Sequence, residues 1–218
     1  MNAKIKKILA TAISMLPGSS LRIAGYQALL GYRFGANTRL GWGVMIAVDR
    51  FSAGQGVVIR RSTTFVGPIK VTLGDKTFIG RYNKFECGDN AGHSSQAHMG
   101  YARELITGAD SLINEGHLFD VLGRIRIGNG SWLAGFNSQF LTHGAGTMER
   151  DIDIGDACFV GSAVRFAPGS GVGSRCIVGM GAVVTKRLAQ NDVVVAGVPA
   201  KILKERTPED GYVFQKGW

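Results

Sequence analysis

The segment from Ile154 to Thr185 repeats on a period of six. Ile154, Val160, Phe166, Val172, Val178 and Val184 occupy every sixth position, and they are followed by Gly155, Gly161, Ala167, Gly173, Gly179 and Thr185. Four places after the first five stands a small or modest side chain: Cys158, Val164, Ser170, Cys176 and Ala182. An amphipathic helix needs a period near 3.6 and an ordinary strand needs alternation, so neither fits. Collagen needs glycine at every third residue, which also fails. The period suits a parallel β-helix of hexapeptide repeats. Each hexad is then a short strand and a corner, with the aliphatic residue inward and the small residue allowing a tight turn. Three hexads close one triangular coil. Cys158 and Cys176 are therefore predicted to stack one coil apart, at about one strand spacing, ~4.8 Å.

The same rhythm runs upstream with phase breaks. Leu73, Ile79 and Phe85 form one run, Ile113, Phe119 and Ile125 another, and Ile127 and Leu133 a third. Phase slips predict loops that leave the prism, chiefly near residues 88–105 and 142–151, and loops on a regular scaffold are where function concentrates. The expected organisation is an N-terminal helical segment (1–35), a β-helix domain (36–200) and a C-terminal extension (201–218).

Length and composition narrow the class further. A chain of 218 residues suits one solenoid domain, which stacks local units and needs no large globular core. The three cysteines make no secreted-type disulfide framework, and two of them fall at inward positions, as expected for buried thiols in a reducing compartment. The net charge of +9 points to an anionic partner. No nucleic-acid motif accompanies it, so a phosphorylated cosubstrate or an acidic membrane surface fits better.

The opening stretch, MNAKIKKILATAISML, has three lysines ahead of a short apolar run. Ile5, Ile8, Leu9, Ala12, Ile13 and Leu16 fall on one helical face, so the segment reads as a cytoplasmic amphipathic helix rather than a cleaved signal. Its apolar face is expected to cover the open end of the solenoid, which must be capped somewhere. Peripheral contact with anionic lipid at the inner face of the membrane is the alternative use. Ser20 to Gly35 reads as a second short helix.

The hexad period, the stretch WLAGFNSQFLTHG and the ending VVTKRLAQNDVVVAGVPAKILKER together resemble the hexapeptide-repeat acyltransferases, most closely those that O-acetylate sugars and surface polysaccharides. The resemblance spans roughly Leu73 to Arg206. It implies a left-handed β-helix, a homotrimer with active sites between neighbouring prisms, and acetyl-CoA as donor. It implies an acetyl transfer to a sugar hydroxyl in polysaccharide or glycolipid biosynthesis, without naming the sugar.

Moving an acyl group from a thioester to a hydroxyl requires a base for the hydroxyl proton, and an imidazole is matched to that near neutrality. Of the four histidines, His143 ends a hexad run where a loop departs, in the context the family uses for its general base. His117 is expected to face the same cleft, holding the acceptor or assisting the base, with Glu115 and Asp120 as candidates for orienting an imidazole or binding sugar hydroxyls. By resemblance, Ser162 and Met180 match positions along the pantetheine arm, although the family usually has Ala or Gly where Met180 stands. Thr185 and Lys186 match the pair beside the donor, and Lys201 and Lys204 match basic positions near its phosphates.

Two other classes remain open at this point. The γ-class carbonic anhydrases share such a solenoid, and His93, His98 and His117 would be their zinc ligands. His93 and His98, however, lie outside the hexad rhythm that would fix ligand geometry. A non-catalytic scaffold is the other alternative, since fold alone does not settle function.

Overall fold

A computed structural model of the chain describes residues 1–144 and 147–207. It is a three-sided prism of short parallel strands. Each coil passes over a first, a second and a third face. The first face is a nine-stranded sheet whose core positions run Leu40, Ile59, Ile79, Ile113, Leu133, Val160, Val178 and Val195. The second and third faces belong to a 13-stranded sheet, because the long strands Met45–Ala53 and Thr64–Leu73 continue round the edge between them. The hexad residues Leu73, Ile79 and Phe85 lie on the third, first and second faces in turn, all buried.

Inward side chains form columns, since parallel pairing puts like positions of successive coils one above the other. On the second face the column is aromatic. Phe65, Phe85, Phe119, Phe140 and Phe166 stack with ring centroids 4.5, 4.4, 4.4 and 5.2 Å apart, every ring fully buried. Cys158 and Cys176 occupy paired positions in neighbouring coils, as the spacing predicts: the residues after them, Phe159 and Ile177, are register partners. Both thiols are free. Contact with Cys176 and burial push the Cys158 thiol well above its ordinary range.

The small residue of the hexad has a different reason from the one expected. Gly155 and Gly161 do not carry the positive φ; that falls two residues later, on Ala157 (53°) and Ala163 (57°). Glycine is needed because the next coil crosses so closely. A Cβ on Gly155 would lie 2.5 Å from the Ser174 nitrogen, and one on Gly161 would lie 2.8 Å from the Met180 nitrogen.

A stack of strands ends in unpaired backbone groups, which must find partners. Helices α1 (Ala3–Ser14) and α2 (Ser19–Leu30) supply them at the N-terminal end. The Tyr26 hydroxyl donates to Val44 O (2.8 Å) and accepts from Ile46 N (3.1 Å). The Tyr32 hydroxyl binds Val48 O and Val48 N at 2.8 and 3.0 Å, and burial pushes its pKa up to about 12. Arg22 donates to Leu40 O (2.8 Å) while Ser19 Oγ accepts from Leu40 N (2.8 Å). The helical segment thus caps the prism, but not by the face expected: Ala10, Ile13 and Ser14 of α1 are buried, whereas Ile5, Ile8, Ala12 and Leu16 are exposed. At the other end, Val193–Gly197 turns back into Ala200–Glu205, an antiparallel strand that covers the last parallel one. Lys201 to Glu205, expected as an extension, are therefore part of the sheet; residues 208–218 of that expected extension lie outside the described residues.

Removing one ring from the aromatic column leaves a cavity that neighbouring coils cannot fill, because their spacing is set by backbone hydrogen bonds. Phe119→Ala is expected to destabilise the fold by about 3–5 kcal/mol. Equilibrium denaturation checks this, and a loss below about 1 kcal/mol would mean the column relaxes into the gap.

Candidate active site

The edge between the second and third faces is where the coil is twice interrupted. The chain leaves it after Lys84–Glu86 and returns at Glu104–Thr107, making two short 3-10 turns, Asp89–Gly92 and Ser94–Met99, on the way. It leaves again after Gln139–Leu141 and returns at Ile152–Ile154. Thr142 pins the second departure. It is fully buried, and its Oγ1 accepts from Leu122 N (2.8 Å) and Gly123 N (2.9 Å) of the preceding coil. The next residue, His143, is thereby held at the rim with its side chain 75% exposed.

Asp120 ends the strand one coil earlier and is the register partner of Leu141. Its Oδ2 lies 4.0 Å from His143 Nδ1, near enough for charge interaction but beyond a hydrogen bond. Burial raises the Asp120 pKa, an effect partly offset by His143 and by the backbone amides of His143 and Leu122. Asp120 thus stands on the Nδ1 side of the imidazole. The two residues line a cavity of about 340 Å³, completed by Cys87, Asn90, Tyr101 and Leu122. Burial pushes the Cys87 thiol up to about 11, so it is protonated at neutral pH and is no nucleophile there.

Tyr101 also borders a larger cavity of about 710 Å³ between the two excursions, where the Arg150 guanidinium lies 5.0 Å from its ring centre. Thr185 and Lys186 line this larger space, on the same edge as His143. The placing of Tyr101, Asn90, Cys87 and Arg150 around these cavities was not legible in the sequence, because they sit in excursions with no periodicity. The one available signal was an aromatic residue, Tyr101, in an otherwise small and polar loop.

The remaining candidates fall elsewhere. Ser162 and Met180 lie along the edge between the first and second faces, and Lys201 and Lys204 lie on the closing hairpin strand of the first face. Glu115 is also on that first edge, where Arg81 holds it through two hydrogen bonds of 2.8 and 2.9 Å. His117 is inside the prism, 1% exposed. Its backbone N–H donates to Asn83 Oδ1 (2.9 Å), its Nδ1 accepts from Ser138 N (3.1 Å), and its ring meets Phe119 edge-on. Neither His117 nor Glu115 is brought to His143. His93 and His98 lie on exposed turns of the first excursion. With His117 enclosed, the three histidines do not converge, and no other group of three metal-ligating side chains forms among the described residues.

The edge that carries Ser162 and Met180 has another property. Trp42, Tyr82, Phe136, Met180 and Val198 lie at corners of this edge, all exposed, on coils that alternate with ones presenting Arg61, Glu115 and Ser162. Backbone bonds from Ser62 to Trp42, Tyr82 to Arg61, Ala163 to Phe136 and Gly181 to Ser162 tie these corners into one line. Exposed large apolar side chains recurring along one edge, interleaved with polar ones, suit a contact site.

No protein-family model matches the chain. Galactoside O-acetyltransferase of Escherichia coli (strain K12) is 36% identical over 67 residues, 31% of this chain and 32% of that protein, so the match spans about a third of that relative's length. WcaF of the same organism, provisionally named a colanic acid biosynthesis acetyltransferase, is 30% identical over 153 residues, 70% of this chain and 68% of that protein. Among solved structures, LpxA of Bacteroides fragilis 9343, a UDP-N-acetylglucosamine acyltransferase, superposes with a TM-score of 0.53 at 15% identity, covering 80% of this chain and 70% of that one. At that identity the likeness speaks to the fold alone, and the fold is a left-handed parallel β-helix of the acyltransferase type. The chain belongs to the hexapeptide-repeat acetyltransferases.

The buried His117 makes stability depend on pH. Desolvation lowers its pKa from 6.5 to about 4, opposed only in part by the Leu133 backbone. Between those values the unfolded chain binds the proton and the folded chain does not. The stabilisation is therefore complete above pH 6.5 and is lost as pH falls toward 4. Denaturation midpoints measured across this window are expected to fall on acidification, and to fall less steeply in His117→Gln. Equal slopes would show that the proton uptake resides elsewhere.

Proposed function

We propose that this acetyltransferase moves an acetyl group from acetyl-CoA to a sugar hydroxyl in surface-polysaccharide or glycolipid biosynthesis, with His143 as the general base. The observation that carries the reading is the His143–Asp120 pair at the rim of a cavity, on the edge where both excursions leave the prism. The names of the relatives support the acceptor class: one is a galactoside O-acetyltransferase and the other is assigned to colanic acid.

Acetyl-CoA, when bound, supplies the acetyl thioester. Lys186 and Lys201 offer exposed ammonium groups suited to its phosphates, with Lys204 on the same hairpin strand. Thr185 stands beside the His143 edge, and Ser162 and Met180 offer small-residue backbone and an apolar side chain to the arm. His143 Nε2 takes the proton of the acceptor hydroxyl as its oxygen attacks. Asp120 orients the ring and stabilises the imidazolium that results. The same histidine can return the proton to the leaving thiolate. Tyr101 and Asn90 border the space for the acceptor ring.

The donor residues lie on two edges of one prism, so a site using all of them needs a second copy. The exposed side chains of Tyr82, Phe136 and Met180 are suited to that contact, and we propose a homotrimer in which one chain's His143 edge meets the edge of its neighbour that presents them. Free buried thiols and a CoA donor fit a cytoplasmic setting. No helix among the described residues is long and apolar enough to cross a membrane.

His143→Ala is expected to lower transfer by roughly 10²–10⁴-fold, equivalent to ~3–5 kcal/mol of transition-state stabilisation. Melting temperature should hold, since the ring is exposed. Product mass spectrometry with acetyl-CoA and candidate nucleotide-sugar or lipid-linked acceptors provides the readout. Near-normal transfer by this variant would discard the mechanism.

Assembly has its own test. Phe136→Asp should leave the coil intact, because the ring points to solvent, and should shift sedimentation from trimer toward monomer with loss of transfer. A variant that remains trimeric and active would remove the apolar edge from the interface.

A further inference from the structure

The N-terminal cap has an outer side that the coil does not use. Tyr26, Ala10, Ile13 and Ser14 are buried against the first coil, whereas Ile5, Ile8 and Met15 of the α1 region and Leu21 and Leu29 of α2 are exposed, Ile8 to 69%. α1 therefore has two apolar sides, one packed and one open. The cap and the first strands of the prism are also cationic. The first 48 residues contain Lys4, Lys6, Lys7, Arg22, Arg33 and Arg39 and no acidic residue. Arg22 is consumed in capping, and Lys6 and Lys7 pair with Asp49 (2.9 Å) and Asp89 (2.7 Å). Lys4, Arg33 and Arg39 are exposed with no carboxylate partner among the described residues.

We infer that the outer side of this cap docks on an anionic lipid bilayer. Charge complementarity selects that occupant. A second copy of the same surface would bring Lys4, Arg33 and Arg39 against like charges, its acids Asp49 and Asp89 being already paired with Lys6 and Lys7, whereas anionic headgroups would neutralise those three while Ile5, Ile8 and Leu29 enter the acyl boundary. A short helix with apolar residues outward and basic residues alongside is the usual chemistry of an interfacial helix. The cap lies at the end of the prism, so docking leaves the prism's long edges available for assembly.

The docked helix is joined to the catalytic edge. Lys7 Nζ bonds Asp89 Oδ2 at 2.7 Å, and Asp89 opens the turn whose Asn90 and Ala91 line the cavity of His143. A bilayer under α1 would therefore lie beside the acceptor cavity, which favours an acceptor carried on a lipid. That last step rests on the acyl-transfer reading; the docking itself does not.

The test uses the full chain and vesicle sedimentation, with phosphatidylcholine vesicles containing or lacking about a third phosphatidylglycerol. Binding is expected only to the anionic vesicles and should weaken at high salt, where screening removes the charge contribution. Ile5→Asp with Ile8→Asp should cut binding at least about tenfold with unchanged transfer to a soluble acceptor. Both side chains are exposed, so the melting temperature should hold. If that variant fails to fold, Lys4→Glu with Arg39→Glu carries the same expectation through charge alone. Absence of binding by the native chain, equal binding to both vesicle types, or equal binding by the folded variants would overturn the proposal. So would self-association of the native chain that Ile5→Asp with Ile8→Asp abolishes, because the occupant would then be a second copy.

Discussion

The backbone hydrogen bonds between successive coils are the constraint on which the rest of this structure depends. Each short strand has too few residues to be stable alone, and two residues such as Phe159 and Val160 count as a strand only because the chain returns below and above them. The ladder holds the coils about one strand spacing apart and so dictates what can stand at each position. Glycine follows the inward residue because the next backbone arrives at van der Waals range, as at Gly155 and Gly161. Flat rings can share one column because ~4.8 Å between coils is close to a stacking distance. The same ladder creates the need for caps, which Tyr26, Tyr32, Arg22 and Ser19 meet with side-chain groups where no further coil exists.

A regular ladder has no cavity, so chemistry requires an interruption. Both large interruptions fall on one edge; His143 follows the strand at the base of the second, Asp120 ends the strand of the coil between them, and those strands are still in register. Precision is thereby inherited from the scaffold while the loops supply shape. Thr142 illustrates the coupling: a buried hydroxyl bonded to the preceding coil determines where His143 emerges. His117 is the opposite case. It is near in sequence and of the right type, but the pleat turns it inward, where Ser138 and Asn83 make it part of the wall.

The prism also has three distinct edges, and they divide the work. One carries His143, Asp120 and the two excursions, one presents Tyr82, Phe136 and Met180, and the third is a run of polar bonds such as Asn129 to Asp156 and Ser174 to Asn191. That division is a property of the solenoid itself, where each position in the coil maps to one line along the molecule.

The period was legible in the sequence because it is local. A six-residue repeat with a small residue after each aliphatic one has few physical solutions, so Ile154 to Val184 determined the β-helix, the stacking of Cys158 on Cys176 and the inward columns. The ending around Thr185 to Lys204 and the context of His143 carried the family. What only the tertiary structure decided is which residues meet. The excursions have no period, so nothing in the order of residues could bring Tyr101 to Arg150 or Cys87 to His143. Strand alternation inverts with a one-residue shift in register, so the burial of His117 and the pairing of Glu115 with Arg81 depended on where each coil closed. The separation of Ser162 and Met180 from Thr185 and Lys186 onto different edges follows from the same cause: in a three-sided coil, a few residues of sequence are enough to turn a corner.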